Sequence, residues 1–320
     1  MRFVWLAAVG LGGFIAMGAT SASALQIGVA PFTTEMTPTA RSVGSAPVSA
    51  KPSSVVYGSF DISLNFSGTP TASQVASFQN AEAYWESKIL GYRDPGLADF
   101  MNNVVGPVVI NANFVAIDGP GNTLASAGAT NIVATGGYTG VTPSTSNVIV
   151  TSAGSMNFDT ADVAALEGGG NFDAVIIHEM AHVLGFTSFF WDFVLATDGT
   201  GTDTSYTGAN GLAAYQAEFD PLATFVPVED EGGSGTAYSH WDEQLFASYN
   251  PLAPVAASTG NPELMTGYLD APTYTSMTTI ASFEDLGYAT VYSNPVPLPL
   301  PGALLAGGLL VLAVRSRKRG

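Results

Sequence analysis

The chain has no cysteine. Disulfides, thiol nucleophiles and cysteine-held metals are therefore excluded. Histidine is nearly as scarce, at three in 320 residues. Positive charge is also short, with nine Lys and Arg against 26 Asp and Glu, a net charge of −17. Five of the nine lie at the chain ends (Arg2, Arg315, Arg317, Lys318 and Arg319), and every acidic residue lies between them. The body is thus strongly anionic. It repels nucleic acid and anionic membranes, which excludes nucleic acid as a partner. Such a surface suits work outside the cell, in salty or calcium-rich medium. There is no internal repeat.

The two ends are special segments. Residues 1–24 read as a secretory leader. Arg2 supplies a positive start, Phe3 to Ala19 is apolar, and Ala22-Ser23-Ala24 is a small-x-small cleavage site. Residues 293–320 read as a sorting or membrane segment. Val296-Pro297-Leu298-Pro299-Leu300-Pro301 opens it, Gly302 to Val314 is apolar, and Arg315-Ser316-Arg317-Lys318-Arg319 closes it. Counted from Pro297, the apolar part just reaches the lower limit of about 17 residues for a bilayer span. The basic end stays cytoplasmic by the positive-inside rule. This tail resembles the C-terminal sorting signals of VPLPA or PEP type in Gram-negative bacteria, with Leu300 where Ala is usual. The resemblance implies an exported, extracellular or surface protein, attached to the membrane through this tail at least transiently.

Between the ends, residues 25–54 are rich in Pro, Thr, Ser and Ala and read as a linker or short pro-segment. Residues 55–292 hold one domain's worth of chain. Val55 to Phe66 alternates like a strand. Thr71 to Leu90 has helical spacing, with Thr71 or Ser73 as N-cap. Pro107 to Ile117 and Asn147 to Thr151 read as strands, whereas Thr123 to Ser146 gives no period. Asn171 to Leu184 is the second clear helix. Asn171 can cap it, Asp173 favours its positive end, and Gly185 can stop it. Beyond Gly185 the chain reads as irregular. The fold class expected is α+β in two lobes, 55–185 and 186–292.

The chemistry sits in Ile177-His178-Glu179-Met180-Ala181-His182-Val183-Leu184-Gly185-Phe186. Histidines four apart on a helix lie about 40° apart around the axis and about 6 Å along it. Both imidazoles can reach one tetrahedral zinc, which needs nitrogens at about 2.0–2.1 Å. Glu179 beside them can take a proton from an activated water and give it to a leaving amine. By composition alone such a motif arises roughly once in a thousand chains like this one.

Catalytic zinc sites use three protein ligands and keep the fourth position for water. The one histidine left is His240, in Tyr238-Ser239-His240-Trp241-Asp242-Glu243. The competing third ligand is a carboxylate from Glu243, Glu263 or Glu284. Histidine gives a metzincin-like site, and glutamate a gluzincin-like one.

The pattern resembles the leishmanolysin family of metzincin proteases. Gly185 stands in the metzincin place, but Ser188 stands where the third histidine is usual. That family shares this departure, and its third histidine arrives after a long insertion. His240 follows Gly185 by 55 residues and precedes Trp241. Asn261-Pro262-Glu263-Leu264-Met265-Thr266 resembles the family's Met-turn, with Met265 as its methionine. Phe283-Glu284-Asp285-Leu286-Gly287-Tyr288 resembles its closing stretch. The resemblance implies a metzincin-like zincin domain, with a twisted sheet and the active-site helix in the first lobe and an irregular second lobe. It implies a zinc metalloendopeptidase with one Zn²⁺ on His178, His182 and His240, and Glu179 as general base. Protein or peptide substrates follow, and a monomer is expected. No organic cofactor is implied. The cysteine latch of protozoan relatives is impossible here.

Asp198-Gly199-Thr200-Gly201-Thr202-Asp203 could wrap Ca²⁺ with oxygen ligands, although an acidic surface loop is the simpler reading. Phe158-Asp159 and Asp162 are placed to brace the active-site helix. A non-enzymatic surface or adhesion protein with a structural zinc site is the alternative function. Glu179 argues against it, since a structural site needs no general base.

Overall fold

A computed structural model describes residues 24–28, 38–40, 55–135, 148–195, 201–233, 235–243 and 262–293. It is a mixed α/β structure around a twisted mixed sheet. Chain order is β1 (Ala24–Gly28), β2 (Pro38–Ala40), β3 (Ile62–Phe66), α1 (Ala72–Lys88), β4 (Ile89–Tyr92) and α2 (Pro95–Phe100). A π-helical turn, Met101–Val105, follows α2. Then come β5 (Val108–Val115), β6 (Ala125–Thr135), β7 (Val148–Asp159), α3 (Val163–Gly169), α4 (Phe172–Leu184) and α5 (Ser188–Val194). The last part holds β8 (Ser205–Tyr206), α6 (Ala209–Glu218), β9 (Val226–Pro227), β10 (Leu269–Ala271), α7 (Met277–Leu286) and β11 (Tyr288–Thr290).

The main sheet runs β1-β6-β7-β5-β3. Strands β3, β5 and β7 are parallel, and β6 is antiparallel to β7. Helix α1 starts on a capping box. Thr71 Oγ1 accepts from Gln74 N, and Gln74 Oε1 accepts from Thr71 N. One face of α1 then buries Phe78, Ala81 and Trp85. Phe78 stands edge-on to Phe66, Phe114, Phe158 and Phe172, which joins helix and sheet in one aromatic core.

Two expectations change here. The stretch 123–146, which showed no period, contains β6, an 11-residue strand. Its Ala, Gly, Ser and Thr residues carry little hydrophobic contrast, and residues 125–129 are buried on both faces, so there is no in–out alternation to read. The chain beyond Gly185 is also not wholly irregular, since it forms α5, α6 and α7. Helix α6 is short and rich in Ala and Gly. Helix α7 buries polar Thr278, Thr279, Ser282 and Glu284 along with its apolar side chains, which blurs the helical pattern. The span Phe172–Val194 is long and apolar enough to cross a membrane, but 83% of an 18-residue window within it is buried inside the fold. Of the segments that read as a leader and a sorting tail, residues 1–23 and 294–320 lie outside the described residues.

Candidate active site

Helix α4 is seated on the sheet by contacts that fix its height and rotation. Gly154 of β7 has no Cβ, and one there would collide with Val183 and come within 2.9 Å of the Gly128 carbonyl. Only glycine lets α4 lie this close. Thr151 Oγ1 donates to Val183 O at 2.6 Å, and Tyr288 Oη to Leu184 O at 3.1 Å. On the α1 side, Trp85 Nε1 donates to Ile177 O at 2.9 Å. Asn171 occupies the N-cap position without a side-chain capping bond, contrary to expectation. Its backbone sits near the helical region rather than the extended one from which a cap side chain reaches back.

Gly185 ends the helix with φ at +117°. A side chain there would be strained and would press on the Phe190 ring at 2.6 Å and on Leu286 at 2.9 Å. The turn it permits brings the Phe186 carbonyl back to His182 Nδ1, at 2.7 Å.

His240 arrives by a different route. Val228 and Trp241 form an antiparallel bridge, and Trp241 pairs again with Thr266. Glu229 N donates to His240 O at 3.0 Å, and Tyr238 N to Glu229 O at 2.7 Å. Tyr238 takes a positive φ of 65° to make this turn. Trp241 is fully buried, stacked on Trp191 at 5.4 Å and edge-on to Phe186 and Tyr206. Burying that ring anchors the histidine beside it.

The three histidines meet. Their Nε2 atoms are 2.9 Å apart for His178 and His182, and 3.2 Å from each of these to His240. Each Nδ1 faces a backbone carbonyl: Leu264 for His178 at 2.6 Å, Phe186 for His182, and Thr236 for His240 at 2.7 Å. A carbonyl can only accept, so each Nδ1 carries the ring proton. Each Nε2 then presents a lone pair to the other two. Burial pushes His178 down to about 3 and His240 to about 4, and holds His182 well below the ordinary imidazole range, so all three stay neutral. Neighbouring imidazoles lower His178 and His182 further. Nitrogens on one tetrahedral zinc would be about 3.3 Å apart, given bonds of about 2.0–2.1 Å. The donor set fits a metal ion. Glu179, buried with them, follows His178 on the helix. Met265 is buried beside Leu264, whose carbonyl meets His178.

The competing carboxylates lie outside this group. Glu263 accepts four hydrogen bonds within its own turn and the start of α7. Glu284 binds Thr290 and Ser293. Glu243 N is held by Glu229. A second cluster, Glu229, Asp230 and Asp242, brings its oxygens within 4.8 Å, but Glu229 is engaged by the N–H groups of Glu231 and Glu243. Asp159 accepts from four backbone N–H groups, those of Ala161, Asp118, Gly119 and Ile117. They hold its carboxyl below the usual range and brace the turn before α3. The Asp198–Asp203 segment falls in part on 196–200, outside the described residues.

The closing stretch has work that its sequence alone did not disclose. Tyr288 Oη bridges Leu184 O and Thr151 N, while Asp285 holds the start of α6. The carbonyls that orient the imidazoles are backbone atoms, which no side-chain pattern marks.

A family model described as leishmanolysin matches residues 139–299. A leishmanolysin homolog of Crithidia fasciculata is 33% identical over 128 residues, covering 37% of this chain. The chain spans only 17% of that relative's length. No solved structure matches it.

Proposed function

The chain belongs to the leishmanolysin family of metalloproteases, and from that footing we propose that it is an exported zinc endopeptidase. The observation that carries this reading is the convergence of three neutral Nε2 lone pairs, with every Nδ1 proton already committed to a carbonyl. Three such lone pairs at 2.9–3.2 Å repel one another unless a cation lies among them. His178, His182 and His240 would hold one Zn²⁺. Zinc supplies a Lewis acid that acidifies water and polarises the peptide carbonyl. Glu179 takes the proton of the attacking water on its carboxylate and delivers it to the departing amine nitrogen. Water thereby adds to the carbonyl carbon as the C–N bond breaks. Met265 supports the turn whose Leu264 carbonyl orients His178. Calcium is no part of this proposal.

Residues 1–24 act as leader, 25–54 as a pro-segment, 55–292 as the catalytic domain and 293–320 as a bacterial sorting tail. The division of the catalytic domain at Gly185 into two lobes belongs to the same reading. Support for the pro-segment comes from two strands. β1 pairs with β6, and β2 pairs with β10. β10 begins two residues after Gly267, where a Cβ would lie 4.0 Å from the His240 ring.

The test is casein hydrolysis by purified protein, with and without a chelator, alongside Glu179→Ala. Chelation is expected to stop cleavage and zinc to restore it. Glu179→Ala should lose about 10²–10⁴-fold in rate while keeping its zinc. Proteolysis that survives both treatments refutes the mechanism. Normal zinc content with no cleavage of any peptide in a broad library would favour the surface-protein alternative.

A further inference from the structure

Glu263 is linked to two of the three site histidines, through a different intermediary in each case. Its Oε2 accepts from Met265 N at 2.6 Å. Its backbone carbonyl accepts from Thr266 Oγ1 at 2.9 Å. Both ends of the turn 263–266 are therefore tied to this one residue, and the carbonyl at the turn's centre, Leu264 O, meets His178 Nδ1. On the other side, Glu263 Oε1 accepts from Ser276 N and Ser276 Oγ at 2.9 Å and from Thr279 Oγ1 at 2.7 Å. Thr279 Oγ1 in turn accepts from Trp241 Nε1 at 2.8 Å. Trp241 is the neighbour of His240, and its N donates to Met265 O at 2.9 Å.

We propose that Glu263 is a positioning residue for the metal-binding histidines, aiming His178 through the Leu264 carbonyl and His240 through Thr279 and Trp241. The inference rests on the zinc reading of the histidine cluster. A carboxylate suits this place, because each of its oxygens faces a backbone N–H that can only donate, Met265 N on Oε2 and Ser276 N on Oε1. Met265 N meets one oxygen, and Ser276 N, Ser276 Oγ and Thr279 Oγ1 meet the other. An amide would have to turn its NH₂ towards one of these donors, a costly mismatch for a side chain only 1% exposed. The chain's scarcity of cations is consistent with this choice, since the acid is satisfied by neutral N–H and O–H groups.

The alternative is that Glu263 merely staples its turn to α7. Zinc affinity separates the two. Glu263→Gln and the near-isosteric Thr279→Val are compared with wild type, using competition against a chromogenic chelator to read the zinc dissociation constant. Circular dichroism confirms that each is folded. Loss of a partner that orients a ligand typically weakens metal affinity by about 10–100-fold, and about 10-fold is expected for each variant. At saturating zinc, kcat should fall with KM unchanged. Thr279→Ser, which keeps the hydroxyl, should recover most of the loss. Folded Glu263→Gln and Thr279→Val that bind zinc as tightly as wild type overturn the proposal. If Glu263→Gln does not fold, Thr279→Val decides by the same criterion. Failure of wild type to bind zinc would instead sink the zinc reading. Exchange of the His178 Nδ1 proton, followed by NMR in metal-free protein, then still tests Glu263. Faster exchange in the variants supports its role, and unchanged exchange removes it.

Discussion

Phe78 and Glu263 are almost equally shut off from water, at 0% and 1% exposure, yet they are held by opposite means. Phe78 touches rings. Phe66 and Phe158 stand edge-on at 5.2 Å, with Phe172 and Phe114 slightly further out. Glu263 touches donors, four of them through its carboxylate. The contrast extends to the surrounding regions. Around the main sheet, α1 and α4 are seated mainly by Phe, Trp and aliphatic side chains. In the segment that brings His240 and Met265, buried or largely buried acids act as fasteners. Glu218 receives Met277 N and Thr278 N, Asp285 receives Asn210 N and Gly211 N, and Glu284 receives Ser293 N. Apolar contact fixes how close two elements lie but leaves orientation loose, whereas a hydrogen-bonded carboxylate fixes direction. For the helix-borne histidines the seated helix fixes the backbone, and the Leu264 and Phe186 carbonyls turn the rings. A histidine delivered by a long loop needs aiming.

The largest expected effect tests the apolar side. Phe78→Ala removes the ring at the centre of the aromatic core and should cost about 3–5 kcal/mol of unfolding free energy. Because no titratable group is involved, the loss should be the same at pH 5 and pH 8 in urea titrations. A strongly pH-dependent loss would mean that the two regions are not separately held.

Acid tests the histidines. Imidazoles in the unfolded chain take up protons below about pH 6.5, whereas folded His240 resists until about 4 and His178 until about 3. In that window the unfolded state binds more protons, so stability is present above pH 6.5 and is lost as pH falls. Each imidazole contributes about 1.4 kcal/mol per pH unit. In chelator-treated protein, His240→Gln should flatten the acid loss by one such increment. His178→Gln should do so too, over a window reaching further down. Buried carboxyls titrate in the same range, so the difference between variant and wild type is the quantity to measure. Parallel curves would show that the folded histidines take up protons as readily as unfolded ones.

The meeting of the three histidines was legible in the sequence, for a physical reason. His178, Glu179, His182 and Gly185 sit within one helix and its stop, where spacing translates directly into geometry. His240 could be reached by elimination because the chain has so few histidines. Helix α1 was legible from its period and from the Thr71 cap. The missed elements lack contrast. β6 is built from small residues, and α7 buries hydroxyls and a carboxylate among its apolar positions. Glu263, one of three glutamates that compete on paper for the third-ligand place, illustrates the same limit. Sequence shows an acid near a methionine, but not that four donors claim it. Asn171 shows the converse, since a suitable cap residue occupies the right position with a backbone that does not aim it.

The smallest effect expected here is also the sharpest test of the carboxylate side. Asp285 accepts from Tyr206 Oη at 2.7 Å, Asn210 Nδ2 at 2.7 Å, and the backbone N–H groups of Asn210 and Gly211 at 2.9 Å. Asp285→Ala strands these donors and should cost about 2 kcal/mol, less than the sum of four bonds because water can enter the space left behind. The loss should be local. Amides at the start of α6 should exchange faster, while those of α4, seated on the sheet through Val183 and Thr151, keep their protection. Asp285→Asn should fall between, since its amide oxygen can still serve the two backbone donors. If α4 loses protection as much as α6 does, the fasteners and the aromatic core belong to one cooperative unit. The division of labour between seating and aiming would then have to be abandoned.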